Sequence, residues 1–149
     1  MSSLIASLAV ATLAVAGCGG DKQGPADSEA QVKAAVQRFG AASARKDYRL
    51  ICDQLIAKTL SDNVEQLGLP CEVAFKRGLE AVRGAKLRVD AVRVTGKTAF
   101  AQVHTTATGQ PPSDDTLKLV RAGKTWRIVS LSAGEDPGTK KQPAAKKTR

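Results

Sequence analysis

The residues able to do chemistry are few and scattered. Tyr48, Asp53, Asp90 and His104 are the titratable side chains set beside apolar positions. An acid–base enzyme would need two such groups in one pocket, a base and a donor to a developing oxyanion. Their spacing matches no nucleophile–histidine–carboxylate order, glycine-rich phosphate loop or carboxylate cluster. Tyr48 shares an apolar helical face, which suits a packed tyrosine with its hydroxyl at the rim. His104 alternates with Phe100 and Gln102, opposite the small apolar side chains, and so reads as a surface histidine. One histidine in 149 residues excludes any site that needs two imidazoles, and no metal or other cofactor is expected. The sequence therefore assigns no catalytic residue, and Tyr48 or His104 would carry the chemistry if there is any.

The three cysteines, Cys18, Cys52 and Cys71, are more informative. Leu4 to Ala16 is uncharged and ends in small residues; it is shorter than the roughly 20 residues that cross a bilayer and suits a secretory signal peptide. Val15-Ala16-Gly17-Cys18 resembles the bacterial lipobox, in which cleavage precedes a cysteine joined through sulfur to diacylglycerol. That resemblance implies a lipoprotein signal peptide over residues 1–17, a lipidated Cys18 and a protein anchored to the outer face of the bacterial cell membrane. A plain signal peptide or an uncleaved apolar end is the alternative. Cys52 and Cys71 are then left in an oxidising compartment. A metal or redox pair would call for a CxxC spacing or a second histidine, so a structural disulfide is the expectation. Closing a loop of that size stabilises by ~3 kcal/mol in the chain-entropy model.

The elements that must position these residues follow from periodicity. Residues 18–27 are rich in breakers and read as a tether. Ser28 and Gln31 have capping-box spacing, and Val32, Ala35, Val36 and Phe39, continued by Ser43, define one buried face of a first helix. Asp47 is placed to cap a second helix with Tyr48, Ile51, Cys52 and Leu55 on one face. Residues 59–68 suit a short helical turn. A third helix, with Pro70 at its first position, aligns Cys71, Phe75, Leu79 and Val82 and ends at Gly84.

After Gly84 the period becomes two. Leu87 and Val89, then Val92 and Val94, alternate with charged residues, and the slip at Asp90–Ala91 predicts a β-bulge. A turn at Thr95-Gly96-Lys97 leads to Ala99, Ala101 and Val103. Residues 109–113 read as a loop, residues 116–121 as a strand bearing Leu117 and Leu119, and residues 125–131 as a strand bearing Trp126 and Ile128. The order predicts an α+β fold, three N-terminal helices packed on a curved four-stranded antiparallel meander.

Phe39 before the Lys46-Asp47-Tyr48 turn, the Cys52 and Cys71 pair, the Val94–Ala99 hairpin and the closing Gly123–Ile128 strand resemble small bacterial lipoproteins with a nuclear-transport-factor-two-like domain. The resemblance spans residues 28–132. It implies a cone in which a curved sheet wraps the first helix around a pocket. The corresponding pocket candidates are Val36, Phe39, Tyr48, Phe75, Ala101, Val103, Leu119 and Trp126. The wider family contains isomerases, dehydratases and cyclases as well as transport and scaffold proteins, so the fold does not choose a function.

Charge adds the remaining expectations. The chain carries a formal +9, and the segment 133–149 places Lys140, Lys141, Lys146, Lys147 and Arg149 against only Glu135 and Asp136. It reads as a disordered basic tail that either attaches to anionic lipid headgroups or wall polymers or serves only as a solubiliser. Nucleic acid is excluded as a partner by the lack of aromatic residues in the tail and by the expected compartment. The expected function is non-catalytic binding of a small apolar ligand or a protein partner. The alternative is a small isomerase or dehydratase working through Tyr48 or His104.

Overall fold

The computed structural model describes residues 24–131. Cys18, the signal peptide, most of the tether and the basic tail lie outside the described residues.

Helix α1 spans Pro25–Arg45 and begins before the expected Ser28. Proline explains the difference: its fixed φ and missing N–H suit the first helical turn, and Gly24 takes the cap position. Ser28 is therefore already helical, buried, and donates its backbone N–H to Gly24 O at 3.1 Å, so Ser28 and Gln31 form no capping box. Val32, Val36, Phe39 and Ala42 form the buried stripe. Lys46, at φ 59°, closes the helix: its N–H reaches Ser43 O at 3.1 Å and that of Asp47 reaches Ala42 O at 2.9 Å.

Asp47 caps the next segment as expected, its Oδ1 accepting from the Leu50 N–H at 3.1 Å. The helix it starts, α2 (Tyr48–Leu50), passes directly into a π-helical segment, Ile51–Leu55. The segment 59–68 forms a true helix, α3 (Lys58–Glu65), so four helices stand where three and a turn were expected. Helix α4 (Cys71–Leu79) has Pro70 at its cap rather than its first position and ends short of Gly84. The disulfide Cys52–Cys71, with Cα atoms 6.1 Å apart, ties the π-helical segment to the first turn of α4.

Strands β1 (Lys86–Thr95), β2 (Thr98–Ala107), β3 (Gln110–Ala122) and β4 (Thr125–Ser130) make an antiparallel meander in sequence order. The bulge falls between Val89 and Ala91, as the pattern predicts. Residues 110–113 belong to β3 and are not a loop. Because β4 pairs only with Lys118–Ala122, the first half of β3 is an edge, where Pro111 and Pro112 forgo no ladder bond to a further strand. The β2–β3 register slips opposite them, between Thr105 and Ala107.

Ala99, Ala101, Val103, Leu117, Leu119, Trp126 and Ile128 form the buried sheet face and meet the α1 stripe in one core. Helix and sheet approach closely where Gly40 faces Leu87: a Cβ on Gly40 would lie 2.9 Å from Leu87 Cβ. Two of the hollows left beside α1 are large enough to admit a small molecule.

Candidate functional site

The first hollow, of about 250 Å³, lies between the C-terminal half of α1, helix α4 and the sheet. Phe39 reaches it because it lies in the C-terminal half of the α1 stripe, and Phe75 and Leu79 because they share one face of α4. The two phenylalanine rings meet edge to face with centroids 6.3 Å apart, a favoured aromatic geometry. Val82, Leu87 and Leu117 extend the apolar wall.

One carboxylate interrupts that wall. Asp115 pairs with Val103 across the ladder, and two residues before Leu117 it shares the inward face. Its side chain has no hydrogen bond or ion pair among the described residues, so its full acceptor capacity is available to a donor in the hollow. A strand begun at Thr116, as the sequence pattern suggests, leaves Asp115 out. Carrying the Leu119, Leu117 alternation back one step places it on the inner face.

The structure divides the eight pocket candidates. Phe39, Phe75 and Val103 line this hollow. Val36, Ala101 and Leu119 are fully buried and serve as packed core, since α1 sits close enough to fill the space above the sheet alanines. Trp126 lines the other hollow. Tyr48 is half-buried at the start of α2, which packs on α1 and α4, and is not on the wall of either hollow.

The other titratable candidates do not converge. His104 lies on the outer sheet face, Nδ1 2.6 Å from Asp114 Oδ1. Asp53 pairs with Arg49 at 3.5 Å on the surface. Asp90 occupies the bulge and holds Arg88 at 2.6 Å; its hydrogen bond and charge keep that guanidinium above its ordinary pKa. The Asp62 carboxylate likewise raises the exposed Lys58 ammonium. Among the described residues no three His, Cys, Asp or Glu side chains are grouped to hold a metal ion, and no helix is long and apolar enough to cross a membrane.

The arrangement has known counterparts. A family model described as "Putative lumazine-binding" matches residues 63–132, from within α3 through the whole sheet. No curated protein matches the chain in sequence. A nuclear-transport-factor-two-like protein of unknown function from Silicibacter pomeroyi is 20% identical over 72% of this chain and 94% of its own, with a TM-score of 0.54. A similar protein from Shewanella baltica is 13% identical over 70% of this chain and 90% of its own, with a TM-score of 0.53. A "putative dehydratase" of that fold from Streptomyces avermitilis is 17% identical over 70% of this chain and 93% of its own, with a TM-score of 0.51. With a bulged antiparallel meander packed on one long helix and capped by shorter ones, residues 24–131 have the nuclear-transport-factor-two-like fold.

Proposed function

We propose that this protein is anchored through diacylglycerol on Cys18 to the outer face of a bacterial membrane and binds a small, mainly apolar ligand in the hollow at Phe39 and Phe75. The observation that carries the ligand reading is an apolar wall broken by one unpartnered carboxylate, Asp115. Such a wall supplies affinity through buried area, and Asp115 supplies its one anionic acceptor, with Ser43, Lys86, Thr105 and Gln110 as the other polar residues of the lining. The ligand therefore carries a hydrogen-bond donor or a protonated amine on an apolar body. Planar heterocycles with ring N–H groups, the class that the matching family's description suggests, meet that requirement. The basic tail, if it engages anionic lipid or wall polymers, adds a screened second attachment. The enzymatic alternative needs Tyr48 or His104 in the hollow, and neither lines it.

Titration of the full chain with lumazine and with octylamine, followed calorimetrically, tests the reading. Saturable binding of at least one is expected. Asp115→Asn should weaken it about 10-fold or more, the scale of a hydrogen bond to a charged group. No binding of either probe, or equal affinity in the variant, would refute the assignment.

A further inference from the structure

The second hollow lies along the middle of α1, against the π-helical segment and the β3–β4 turn, and has a volume of about 460 Å³. Arg38, Lys124 and Arg127 stand on its wall, and no carboxylate does. Arg127 is held in place by Nη1, which donates to Asp53 O at 3.0 Å and Ile56 O at 3.3 Å. The apolar floor is Ala34, Ala35, Leu55 and the Trp126 indole.

Two polar atoms of this wall are buried without a hydrogen-bond partner, Trp126 Nε1 and Gln31 Oε1. Buried polar groups are nearly always paired, so each one left over asks for an explanation. Trp126 is 4% exposed, and Arg121 lies over its ring at 5.8 Å from the centroid. An indole N–H can only donate, and arginine and lysine only donate. Gln31 Oε1 apart, which accepts, the wall offers donors and positive charge to whatever enters, with a short apolar surface beside them. Asp53, the acid nearest in sequence to the wall residue Gln54, is exposed and engaged by Arg49.

We propose that this cleft binds a small organic oxyanion, a carboxylate or phosphate ester with a short apolar chain. Arg38 and Lys124 face the charge, an oxygen accepts from the Trp126 indole, and the chain lies on Ala34, Ala35 and Leu55. The site is separate from the hollow at Phe39 and does not rest on the reading of that hollow.

Trp126 is the chain's one tryptophan and so reports on its own cleft. The full chain is titrated with hexanoate, hexyl phosphate, the uncharged hexanamide and phosphatidylglycerol vesicles at constant ionic strength while tryptophan emission is followed. A saturable change is expected with hexanoate or hexyl phosphate and not with hexanamide. The double variant Arg38→Gln, Lys124→Gln removes two exposed charges and should fold normally, as its thermal midpoint will show; its dissociation constant should rise at least 10-fold. Lys97→Gln, which removes a single charge in the β1–β2 turn, should leave the constant within about twofold. Three results would overturn the proposal: an equal response to hexanamide, an unchanged constant in the double variant, or a response confined to phosphatidylglycerol vesicles, which would mark the surface as membrane-facing charge.

Discussion

The contact between Gly40 and Leu87 gives a prediction whose sign runs against helix propensity. Gly40 lies in the interior of α1, where alanine is intrinsically favoured over glycine by about 1 kcal/mol. Against that gain stands the geometry: the new Cβ would lie 2.9 Å from Leu87 Cβ and 3.5 Å from Leu87 Cγ and Cδ1. Both Cβ positions are fixed by backbone, so no rotamer change relieves the contact and α1 must move from β1. Overpacking of this kind costs about 1–3 kcal/mol. Gly40→Ala should therefore be net destabilising by up to about 2 kcal/mol, lowering the thermal midpoint by roughly 10 °C for a domain of this size. Gly78 is the control. It is also helical, in α4, but nothing lies within 4 Å of a Cβ placed there and its φ is not positive. Gly78→Ala should stabilise by up to about 1 kcal/mol. Urea and thermal unfolding of the two variants decide the matter. If Gly40→Ala proves as stabilising as Gly78→Ala, the close approach of α1 and β1 is wrong, and with it the filled core beneath Val36.

Further expectations rest on other contacts. Replacing Cys52 and Cys71 with serine should cost about 3 kcal/mol and lower the midpoint by roughly 10–25 °C, read by calorimetry; an unchanged midpoint would mean that the bridge does not restrain the unfolded chain. Trp126→Ala should cost about 3–5 kcal/mol and leave little folded protein by circular dichroism. Tyr48→Phe and His104→Ala should each stay within about 0.5 kcal/mol, since the Tyr48 hydroxyl has no partner among the described residues and the partner of His104, Asp114, is 82% exposed. A tolerated Trp126→Ala would displace the core assignment. Cys18→Ala should abolish membrane fractionation, because acyl chains supply most of the binding energy; mass spectrometry of the mature N-terminus tests the lipid directly.

What the sequence discloses and what it withholds divide along physical lines. Local signals are legible: the Asp47 cap, the alternation of Ala99, Ala101 and Val103, and the slip at Asp90 each depend on neighbours only a few residues away. The cysteine pair is legible because placing Cys18 elsewhere leaves one pairing. The start of α1 is hidden because Ser28 and Gln31 imitate a cap while Pro25 begins the helix earlier. The start of β3 is hidden because a proline pair signals a loop unless one knows that β4 is too short to reach it. The division between pocket and core is illegible for a different reason. Whether Val36 and Ala101 line a cavity or fill one depends on the distance between α1 and the sheet, and Gly40 and Leu87, far apart in sequence, set that distance.

The segment after the π-helical turn has a further consequence for self-association. Ile56 forms a parallel bridge to Ile128, and the Ala57 N–H donates to Ile128 O at 2.8 Å, so the free margin of β4 is already occupied. The opposite margin, β1, carries Lys86, Arg88 and Arg93 and is kinked by the bulge at Asp90. Exposed strand margins are templates for aggregation, and natural sheets blunt them with charge, bulges or a covering segment. Here one margin is covered at β4 and interrupted by Pro111 and Pro112 where the first half of β3 is left as an edge, and the other is charged and bent. For molecules concentrated side by side on a surface, as the proposed anchor would hold them, that protection matters more than in dilute solution: strand addition between neighbours is resisted at both ends of the sheet.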